Sequence, residues 1–310
     1  MIPMLFQHHL SAISVSAPAK LNLFLNVIGK RADGFHELET LMVSVGVYDT
    51  LRFSEDATGE IKLRCFNYGA ARTADPRNKG ELSAGADNLV VRAAELLRSK
   101  TGTPGKPNPG ARIELYKRIP LAAGLAGGSS DAAATLVGLN RCWKLGLSLK
   151  ELHPLAAELG SDVPFFLNTT GAAVCTGRGE IIDPIELPMR LHFVIVRPRT
   201  GLSTALVFKH CQPSNAPSQV AELVASLKQG RLARGAQLLY NTLQEPAERL
   251  NADVTQLKQV FSRQPVIGHM MSGSGTSYFG LCHNRRQALQ VSARLKAMRL
   301  GDVFVTQSRP

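Results

Sequence analysis

Residues 120–134 read PLAAGLAGGSSDAAA and join a predicted strand to an alanine-rich predicted helix. Glycines at this point let backbone N–H groups turn towards a ligand, because they tolerate conformations that other residues avoid. The start of the helix adds about half a positive elementary charge, and the serine hydroxyls can donate to phosphate. The segment therefore predicts a site for an anion such as a nucleotide phosphate.

A plain turn, with Ser129 or Ser130 as the helix N-cap, is the alternative interpretation of the same segment. The spacing of its glycines fits neither G-x-x-x-x-G-K-[ST] nor the complete G-x-G-x-x-G fingerprint. Asp131 argues against an anion, since a carboxylate in the first turn partly neutralises the helix end. The glycines alone leave both interpretations open.

A second loop rich in glycine and hydroxyl groups, Met271–Ser277, precedes the apolar run Tyr278–Leu281. The flexible tip of a hairpin can have the same composition. Two such loops, both lined by hydroxyls in a basic protein, favour a phosphate site to which both contribute.

Two charged residues stand in apolar surroundings. Asp162 follows a predicted helix within Gly160–Phe166, where it could orient a substrate hydroxyl or accept its proton. A turn or helix-capping aspartate is the alternative. Lys20 interrupts an apolar strand region, where its charge could act on Asp162 or on a transferring phosphate. An edge-strand lysine with its ammonium in solvent is the alternative there.

Gly34-Phe35-His36 places an aromatic face beside a hydrogen-bonding ring at the start of a predicted strand. Such a pair suits stacking on a heterocyclic base and reading its edge. A structural role is the alternative, since a lone histidine is more often structural.

The composition limits the class of protein. The 310 residues are 44% hydrophobic and 19% charged, which excludes a disordered chain and suits one large core or two ordinary ones. The formal charge of +12 favours anionic partners: nucleotides, phosphate esters, nucleic acid or a membrane surface. No apolar stretch reaches the roughly 20 residues that a membrane span needs. The five cysteines are widely spaced, so we expect reduced thiols in a cytoplasmic protein.

Alternating apolar residues predict strands in the first quarter of the chain, two short ones at Ile13–Ser16 and Leu21–Val27 and a longer one at Leu38–Val47. The glycine-rich segment leads into a helix that ends at about Lys144, and a further helix is predicted from about Ser148 to Leu159. Strands and helices mix without regular βαβ repetition. This favours an α+β architecture over a doubly wound sheet.

The motifs together resemble those of the GHMP small-molecule kinases, and the resemblance covers nearly the whole chain. It rests on segments in the family's order, at residues 18–23 with 31–36, 120–133, 160–166 and 272–276. It implies the two-domain fold of that family, with a ribosomal-S5-like N-terminal domain over residues 1–188 and a ferredoxin-like C-terminal domain over residues 189–310. Phe35 stands where the family often has Tyr, and Ala126 where some members have Gly.

The same match implies the residues of phosphoryl transfer. Asp162 corresponds to the family's catalytic aspartate and Lys20 to the lysine beside it. The ATP-phosphate loop corresponds to Pro120, Gly124, Leu125, Ala126, Gly127, Gly128, Ser129 and Ser130. ATP is then the co-substrate, together with Mg²⁺.

The segments around Asp33–His36 and Gly160–Phe166 are typical of one kinase of the family, which phosphorylates the 2-hydroxyl of methylerythritol linked to cytidine diphosphate, in non-mevalonate isoprenoid biosynthesis. The resemblance implies that His36 reads the cytosine and that Phe35 stacks on it. The other substrate-binding residues that it implies are Asn22, Phe208, Gly273, Ser274, Gly275 and Thr276.

The expected partner is a small molecule with a cytidine diphosphate group, and neither nucleic acid nor a membrane is expected. We expect a cytoplasmic monomer or homodimer. Another GHMP kinase, for homoserine, a sugar or mevalonate, is the nearer alternative, and Asp33–His36 argues against it. The charge of +12 motivates a non-catalytic nucleic-acid-binding protein on an S5-like fold, although such a module would need neither Lys20 nor Asp162.

Overall fold

The computed structural model describes residues 4, 6–9, 12–68, 83–101, 108–168, 170–213 and 218–309. The strands are β1 (Phe6–His9), β2 (Ala12–Lys30), β3 (His36–Asp56), β4 (Ile61–Asn67), β5 (Gly110–Lys117), β6 (Ala172–Gly177), β7 (Ile181–Pro184), β8 (His192–Arg197), β9 (Tyr240–Asn241), β10 (Gly268–Met271), β11 (Tyr278–Cys282) and β12 (Asp302–Gln307). The helices are α1 (Leu89–Thr101), α2 (Gly127–Cys142), α3 (Leu149–Leu159), α4 (Thr204–Lys209), α5 (Val220–Lys228), α6 (Leu232–Gln237), α7 (Gln244–Leu250), α8 (Ala252–Phe261) and α9 (Arg285–Ala297), with a 3-10 helix at Pro164–Leu167.

The chain divides into two compact units. The first unit comprises Met1–Ala19, Val47–Leu121 and Ala126–Thr169, and the second comprises Lys20–Gly46, Ala122–Leu125 and Thr170–Pro310. Strands β2 and β3 each contribute residues to both units. The division into domains after residue 188 stays a prediction.

The first unit contains a sheet with the strand order β1-β2-β3-β5-β4 and the helices α1 to α3, which pack on one another. β3 pairs antiparallel with β5, and β4 pairs parallel with β5. Helix α2 approaches the sheet closely, because a Cβ atom on Gly138 would lie 2.3 Å from the Phe53 ring. Glycine at residue 138 therefore allows the contact between the helix and the sheet.

Strand β2 corrects the prediction of two short strands at the start of the chain. The run continues through Pro18 as one strand of 19 residues. The registers explain this. β1 pairs with Ala12–Val15 and β9 pairs with Phe24–Leu25, so neither strand pairs with the stretch around Pro18. A proline is tolerated where the strand has no partner on the side of the missing N–H, because no ladder bond is then lost.

The second unit contains the remainder of β2 and β3 and a separate antiparallel sheet. β9 pairs with β2, and β6 pairs with both β3 and β7. The separate sheet has the order β10-β11-β8-β12, and α9 packs on β8, β11 and β12. Apolar side chains that include Val194, Tyr278, Val291 and Leu295 form its core. The mixture of antiparallel sheets and helices agrees with the predicted α+β architecture.

All five cysteines (Cys65, Cys142, Cys175, Cys211 and Cys282) are free thiols. Burial raises the pKa of Cys142 and of Cys282 to about 11, so that both stay neutral at physiological pH. Within the described parts of the chain, no helix has both the length and the apolar character to cross a membrane.

Candidate active site

In the first unit the glycine-rich segment forms the start of helix α2. The helix begins at Gly127, and its N-cap is Ala126, which makes no side-chain capping bond. The interpretation of Ser129 or Ser130 as an N-cap is therefore wrong, because both lie inside the first turn. Gly128 is exposed and Ser129 is half-buried at this helix start, where N–H groups and the helix dipole favour an anion.

Ala126 occupies the left-handed backbone region, with φ 52° and ψ 35°. A side chain with a Cβ atom costs about 1 kcal/mol in this conformation. Ala126, where some members of the family have Gly, is thus a strained alanine. The carbonyl of Ala126 accepts from the N–H of Ser130 at 3.0 Å, which is the first hydrogen bond of the helix.

Packing within the first unit requires a glycine at residue 127. A Cβ atom there would lie 2.9 Å from Ile119 Cγ2 and 3.0 Å from Lys117 Nζ, both at the end of the strand before the loop. At Gly128 the added atom would meet only Leu89, at 3.5 Å, an ordinary contact. The sequence pattern does not distinguish these two glycines.

Asp131 faces the interior of the first unit, contrary to the expectation that it neutralises the helix end. Its Oδ2 atom lies 2.7 Å from Lys117 Nζ, and both side chains are buried. Lys117 also pairs with Asp49 on β3. Sequence reasoning missed Lys117 and Asp49, although a lone carboxylate inside an apolar strand is a signal for a buried pair.

Asp162 lies in the turn between α3 and the 3-10 helix. The turn is closed by a bond of 3.2 Å from the N–H of Val163 to the carbonyl of Gly160. Val163, Phe165 and Phe166 are fully buried, so the apolar residues anchor the turn, while Asp162 itself is half-buried. Val163 precedes the 3-10 helix and Gly160 ends α3, so Asp162 is not a helix cap.

In the second unit Lys20 and Asn22 lie side by side on β2. The Lys20 ammonium donates to Asn22 Oδ1, and the Asn22 amide donates to Thr40 Oγ1 at 2.8 Å. Lys20 is only 4% exposed, which excludes a lysine with its ammonium in solvent. A Cβ atom on Gly273 would lie 3.3 Å from Lys20 Nζ. The lysine, the asparagine and the second glycine-rich loop are therefore together.

Gly124 joins this cluster through a close backbone approach. It has φ +71°, and a Cβ atom there would lie 2.1 Å from the carbonyl oxygen of Ser272. Ser272 Oγ in turn donates to the Gly124 carbonyl at 3.0 Å, and the N–H of Lys20 donates to the carbonyl of Leu125 at 3.1 Å. Only glycine satisfies both the conformation and the contact at residue 124.

Side chains that sequence reasoning missed hold the second loop in place. The Asn241 amide donates to the carbonyls of Met271 and Gly273, at 2.9 and 2.8 Å. Thr276 Oγ1 donates to the Thr200 carbonyl at 2.9 Å. The hydroxyls of Ser274 and Thr204, the first residue of α4, are bonded at 2.8 Å. No local pattern around Asn241 or Thr200 signals these contacts, because each depends on a distant partner.

Phe35, His36 and Phe208 lie on the second unit. Phe35 is 50% exposed at the tip of the β2–β3 hairpin, after Gly34 with φ +87°. The rings of His36 and Phe208, the latter on α4, have centroids 5.0 Å apart and are tilted by 34°. The structure thus brings His36 and Phe208 together, although they are far apart in sequence.

Arg178, which the sequence does not mark, covers one side of Phe35. Its guanidinium carbon lies 4.7 Å from the centroid of the Phe35 ring. Burial lowers the pKa of His36, and the charge of Lys30 lowers it further. His36 is therefore neutral at pH 7, with one ring nitrogen as a donor and the other as an acceptor.

Comparison with known proteins gives matches over most of the chain. The N-terminal domain model of GHMP kinases matches residues 88–169, and the C-terminal model matches residues 223–299. The 4-diphosphocytidyl-2-C-methyl-D-erythritol kinase of Shouchella clausii is 42% identical over 269 residues, which are 86% of this chain and 85% of that protein. The protein of the same name from Pelotomaculum thermopropionicum is 41% identical over 286 residues, covering 92% and 94%.

Solved structures agree with this. A crystal structure of 4-(cytidine 5'-diphospho)-2C-methyl-D-erythritol kinase matches with a TM-score of 0.76 and 32% identity, over 96% of this chain and all of that one. Homoserine kinase from Cytophaga hutchinsonii matches with a TM-score of 0.72 and 19% identity, over 98% and 96%, which shows a shared fold alone. These matches confirm the fold expected from the motifs.

Proposed function

The chain belongs to the GHMP kinases and, within them, to the 4-diphosphocytidyl-2-C-methyl-D-erythritol kinases, and from this premise we propose how its residues divide the work of the reaction. The enzyme transfers the γ-phosphoryl group of ATP to the 2-hydroxyl of 4-diphosphocytidyl-2-C-methyl-D-erythritol, in isoprenoid biosynthesis. The observation that carries this function is the identity of 42% over 86% of the chain.

The direct test is ATP turnover by the purified chain with 4-diphosphocytidyl-2-C-methyl-D-erythritol, homoserine or mevalonate as acceptor. We expect phosphorylation of the cytidine-linked acceptor and none of the other two above the background of ATP hydrolysis. Turnover of homoserine or mevalonate, with the cytidine-linked acceptor inert, would overturn the assignment.

Phosphoryl transfer needs positioning and stabilisation of charge more than covalent help from the protein. Asp162 orients the attacking 2-hydroxyl and accepts its proton. Lys20 stabilises the charge on the transferring phosphoryl group. The anchored turn of Asp162 and the nearly complete burial of Lys20 support these roles, since the backbone at Asp162 and the side chain of Lys20 are held before any substrate binds.

Mg²⁺ accompanies ATP in this proposal. Across the described ranges, no group of three or more His, Cys, Asp or Glu residues forms a metal site. Mg²⁺ commonly binds through substrate phosphates and waters with few protein ligands, so the phosphates of ATP would hold most of its coordination. A bound ion would supply positive charge to the phosphates, and the chain's own groups position those phosphates.

The start of α2 binds the nucleotide phosphates through the N–H groups of Gly127, Gly128 and Ser129, while Ser130, whose N–H donates to the Ala126 carbonyl, contributes its hydroxyl. The Gly124 and Ser272–Thr276 segments supply further backbone and hydroxyl groups near Lys20 to the phosphoryl group or the acceptor. The exposed position of Gly128 and the absence of a side-chain cap on α2 support the first of these assignments.

Substitutions at two neighbouring glycines distinguish a role in phosphate binding from a role in packing. Gly128→Val adds bulk at the exposed helix start, so it should raise the KM for ATP more than the KM for the cytidine-linked acceptor, with little change in Tm. Gly127→Val meets Ile119 and Lys117 instead and should lower the free energy of unfolding by about 1–3 kcal/mol. Thermal denaturation and steady-state kinetics measure both. Equal effects of Gly128→Val on the two substrates would contradict phosphate binding at this helix start.

Recognition of the base is divided between Phe35 and His36. Phe35 offers a half-exposed ring for stacking, and neutral His36 offers both a donor and an acceptor to the edge of cytosine. Arg178 covers one side of the Phe35 ring and Phe208 packs against His36, which supports a fixed arrangement of both rings.

Substitutions in this pair should therefore have different effects. Phe35→Ala removes one stacking contact between the ring and the base, which costs roughly 1–3 kcal/mol of binding, so the KM for the acceptor should rise. Phe35→Tyr keeps the face of the ring and should change little. His36→Phe keeps ring area but removes the hydrogen bonds, so discrimination between cytidine- and uridine-linked acceptors should fall. Ile181→Ala, at another exposed apolar residue of the second unit, is the control. If His36→Phe discriminates as well as the wild type, the base is read elsewhere.

The protein works in the cytoplasm as a monomer or homodimer in this proposal, on small molecules and without nucleic acid or a membrane. The formal charge of +12 fits the anionic substrates, since both ATP and the cytidine diphosphate group carry phosphates. Size-exclusion chromatography with light scattering would decide between the two oligomeric states.

A further inference from the structure

The first unit contains a buried cluster of one lysine and two aspartates beneath the start of helix α2. Lys117 ends β5, Asp49 lies on β3, and Asp131 is the fifth residue of α2. Their side chains are 1%, 0% and 3% exposed. Lys117 Nζ contacts Asp49 Oδ2 and lies 2.7 Å from Asp131 Oδ2. One ammonium therefore serves two carboxyl groups that water does not reach.

The two carboxyl groups receive unequal numbers of hydrogen bonds. Asp49 Oδ1 accepts from the backbone N–H groups of Arg118 and Ile119, the latter at 2.9 Å, and Asp49 Oδ2 accepts from Lys117. Asp131 Oδ2 accepts from Lys117, but Asp131 Oδ1 is buried with no hydrogen-bond partner among the described residues. A bare oxygen is much more costly on an ionised carboxylate than on a neutral acid. Asp49 is therefore the better site for the negative charge.

The surrounding charges lead to the same assignment. Burial raises the pKa of Asp131 well above its usual range; the charge of Lys117 opposes this, and the charge of Asp49 and a hydrogen bond with Asp49 add to it. Burial lowers the pKa of Lys117, but the interactions with Asp131 and Asp49 outweigh it and leave the pKa raised, so Lys117 stays charged. Among the described residues, Cys65 on β4 is a further titratable group near the cluster; burial raises the pKa of its thiol, and the charges of Asp131 and Lys117 act on it in opposite directions. With both aspartates ionised the cluster would carry one negative charge.

We propose that Asp131 is a neutral carboxylic acid that keeps its proton and donates a hydrogen bond to the carboxylate of Asp49, and that this keeps the first turns of α2 free of negative charge where the nucleotide phosphates bind. The last part rests on the proposed binding of ATP at Gly127–Ser130. Asp131 is a positioning residue in this scheme, because it acts through the field at the helix start and touches no substrate. A carboxylate at the same place would neutralise part of the positive potential of the helix start and would repel the phosphates.

Asp131→Asn tests the proposal, because an amide has nearly the shape of the neutral acid and cannot ionise. At pH 7 the variant should stay folded, with kcat and the KM for ATP within about twofold of wild type. Asp49→Asn removes the charge that Lys117 needs and should lower Tm much more. If Asp131→Asn lowers Tm as much as Asp49→Asn does, the proposal is overturned.

The pH dependence gives a readout that a merely structural role would not change. A raised pKa in the folded state stabilises the protein at low pH, and this contribution is lost as pH rises through the folded pKa. The Tm of the Asp131→Asn variant should therefore rise relative to the Tm of the wild type as the pH increases. The KM for ATP should rise in wild type as Asp131 ionises and stay flat in the variant. Parallel Tm curves across the pH range would overturn the proposal.

Infrared difference spectroscopy separates this proposal from the proposed function. The wild type at pH 7 should show the C=O stretch of a protonated carboxyl group that Asp131→Asn lacks, with or without ATP. Absence of that band in the wild type would overturn the neutral acid. If the band is present and Gly128→Val leaves ATP affinity unchanged, the phosphate loop assignment fails while the protonated Asp131 stands.

Discussion

Asp162→Asn should give a folded protein whose kcat falls by roughly 10²–10⁴-fold, the usual scale for a group that orients or deprotonates a nucleophile. Asparagine has nearly the same shape as aspartate, and the turn is anchored by the buried Val163, Phe165 and Phe166 rather than by residue 162. The loss should therefore be in turnover, with Tm and the KM values close to those of the wild type.

Single-turnover kinetics with a saturating acceptor measure the chemical step for this variant. Asp183→Asn, at an exposed aspartate on β7, is the matched control and should behave as wild type. Near-normal turnover by a folded Asp162→Asn protein would remove Asp162 from the mechanism.

Lys20→Met should lower kcat/KM by roughly 10²–10³-fold, and most of the loss should be in kcat. The fixed ammonium of Lys20 stabilises the charge on the transferring phosphoryl group more in the transition state than in the bound substrates. Methionine fills much of the buried volume of lysine. It leaves Asn22 Oδ1 without its donor, which costs about 1–3 kcal/mol of stability.

The comparison of kcat with Tm decides between the roles of Lys20. Lys228→Met, at an exposed lysine on α5, should change neither quantity. A loss of Tm with kcat retained at a permissive temperature would make Lys20 a structural residue only.

Local features of the site were predictable because they depend on a few consecutive residues. The strand, glycine-rich turn and helix around residues 117–142 follow from adjacent backbone preferences, and so does the capping box of Ser148 and Glu151 at the start of α3. The turn before Phe35 depends on local preference in the same way, since Gly34 there adopts a positive φ. The length of β2 was not predictable, because tolerance of Pro18 depends on which strands flank it.

The sequence by itself determined the α+β class, the family motifs and the identity of the glycine-rich loops. These depend on local conformational preference and on the order of the motifs, both of which the linear chain carries. It also marked Lys20 and Asp162 as charged residues in apolar surroundings. A pattern of this kind shows that a charge is out of place but not what it contacts.

Only the tertiary structure decided which groups meet. Gly124 approaches Ser272, Arg178 covers Phe35, and Lys117 joins Asp49 to Asp131, each across long separations in the chain. Burial and electrostatics depend on those encounters, because the same carboxyl group is an anion in water and a neutral acid beside another carboxylate in the interior. Strand register and helix packing therefore decided the charge of Asp131 in our proposal, which its place in the sequence alone did not indicate.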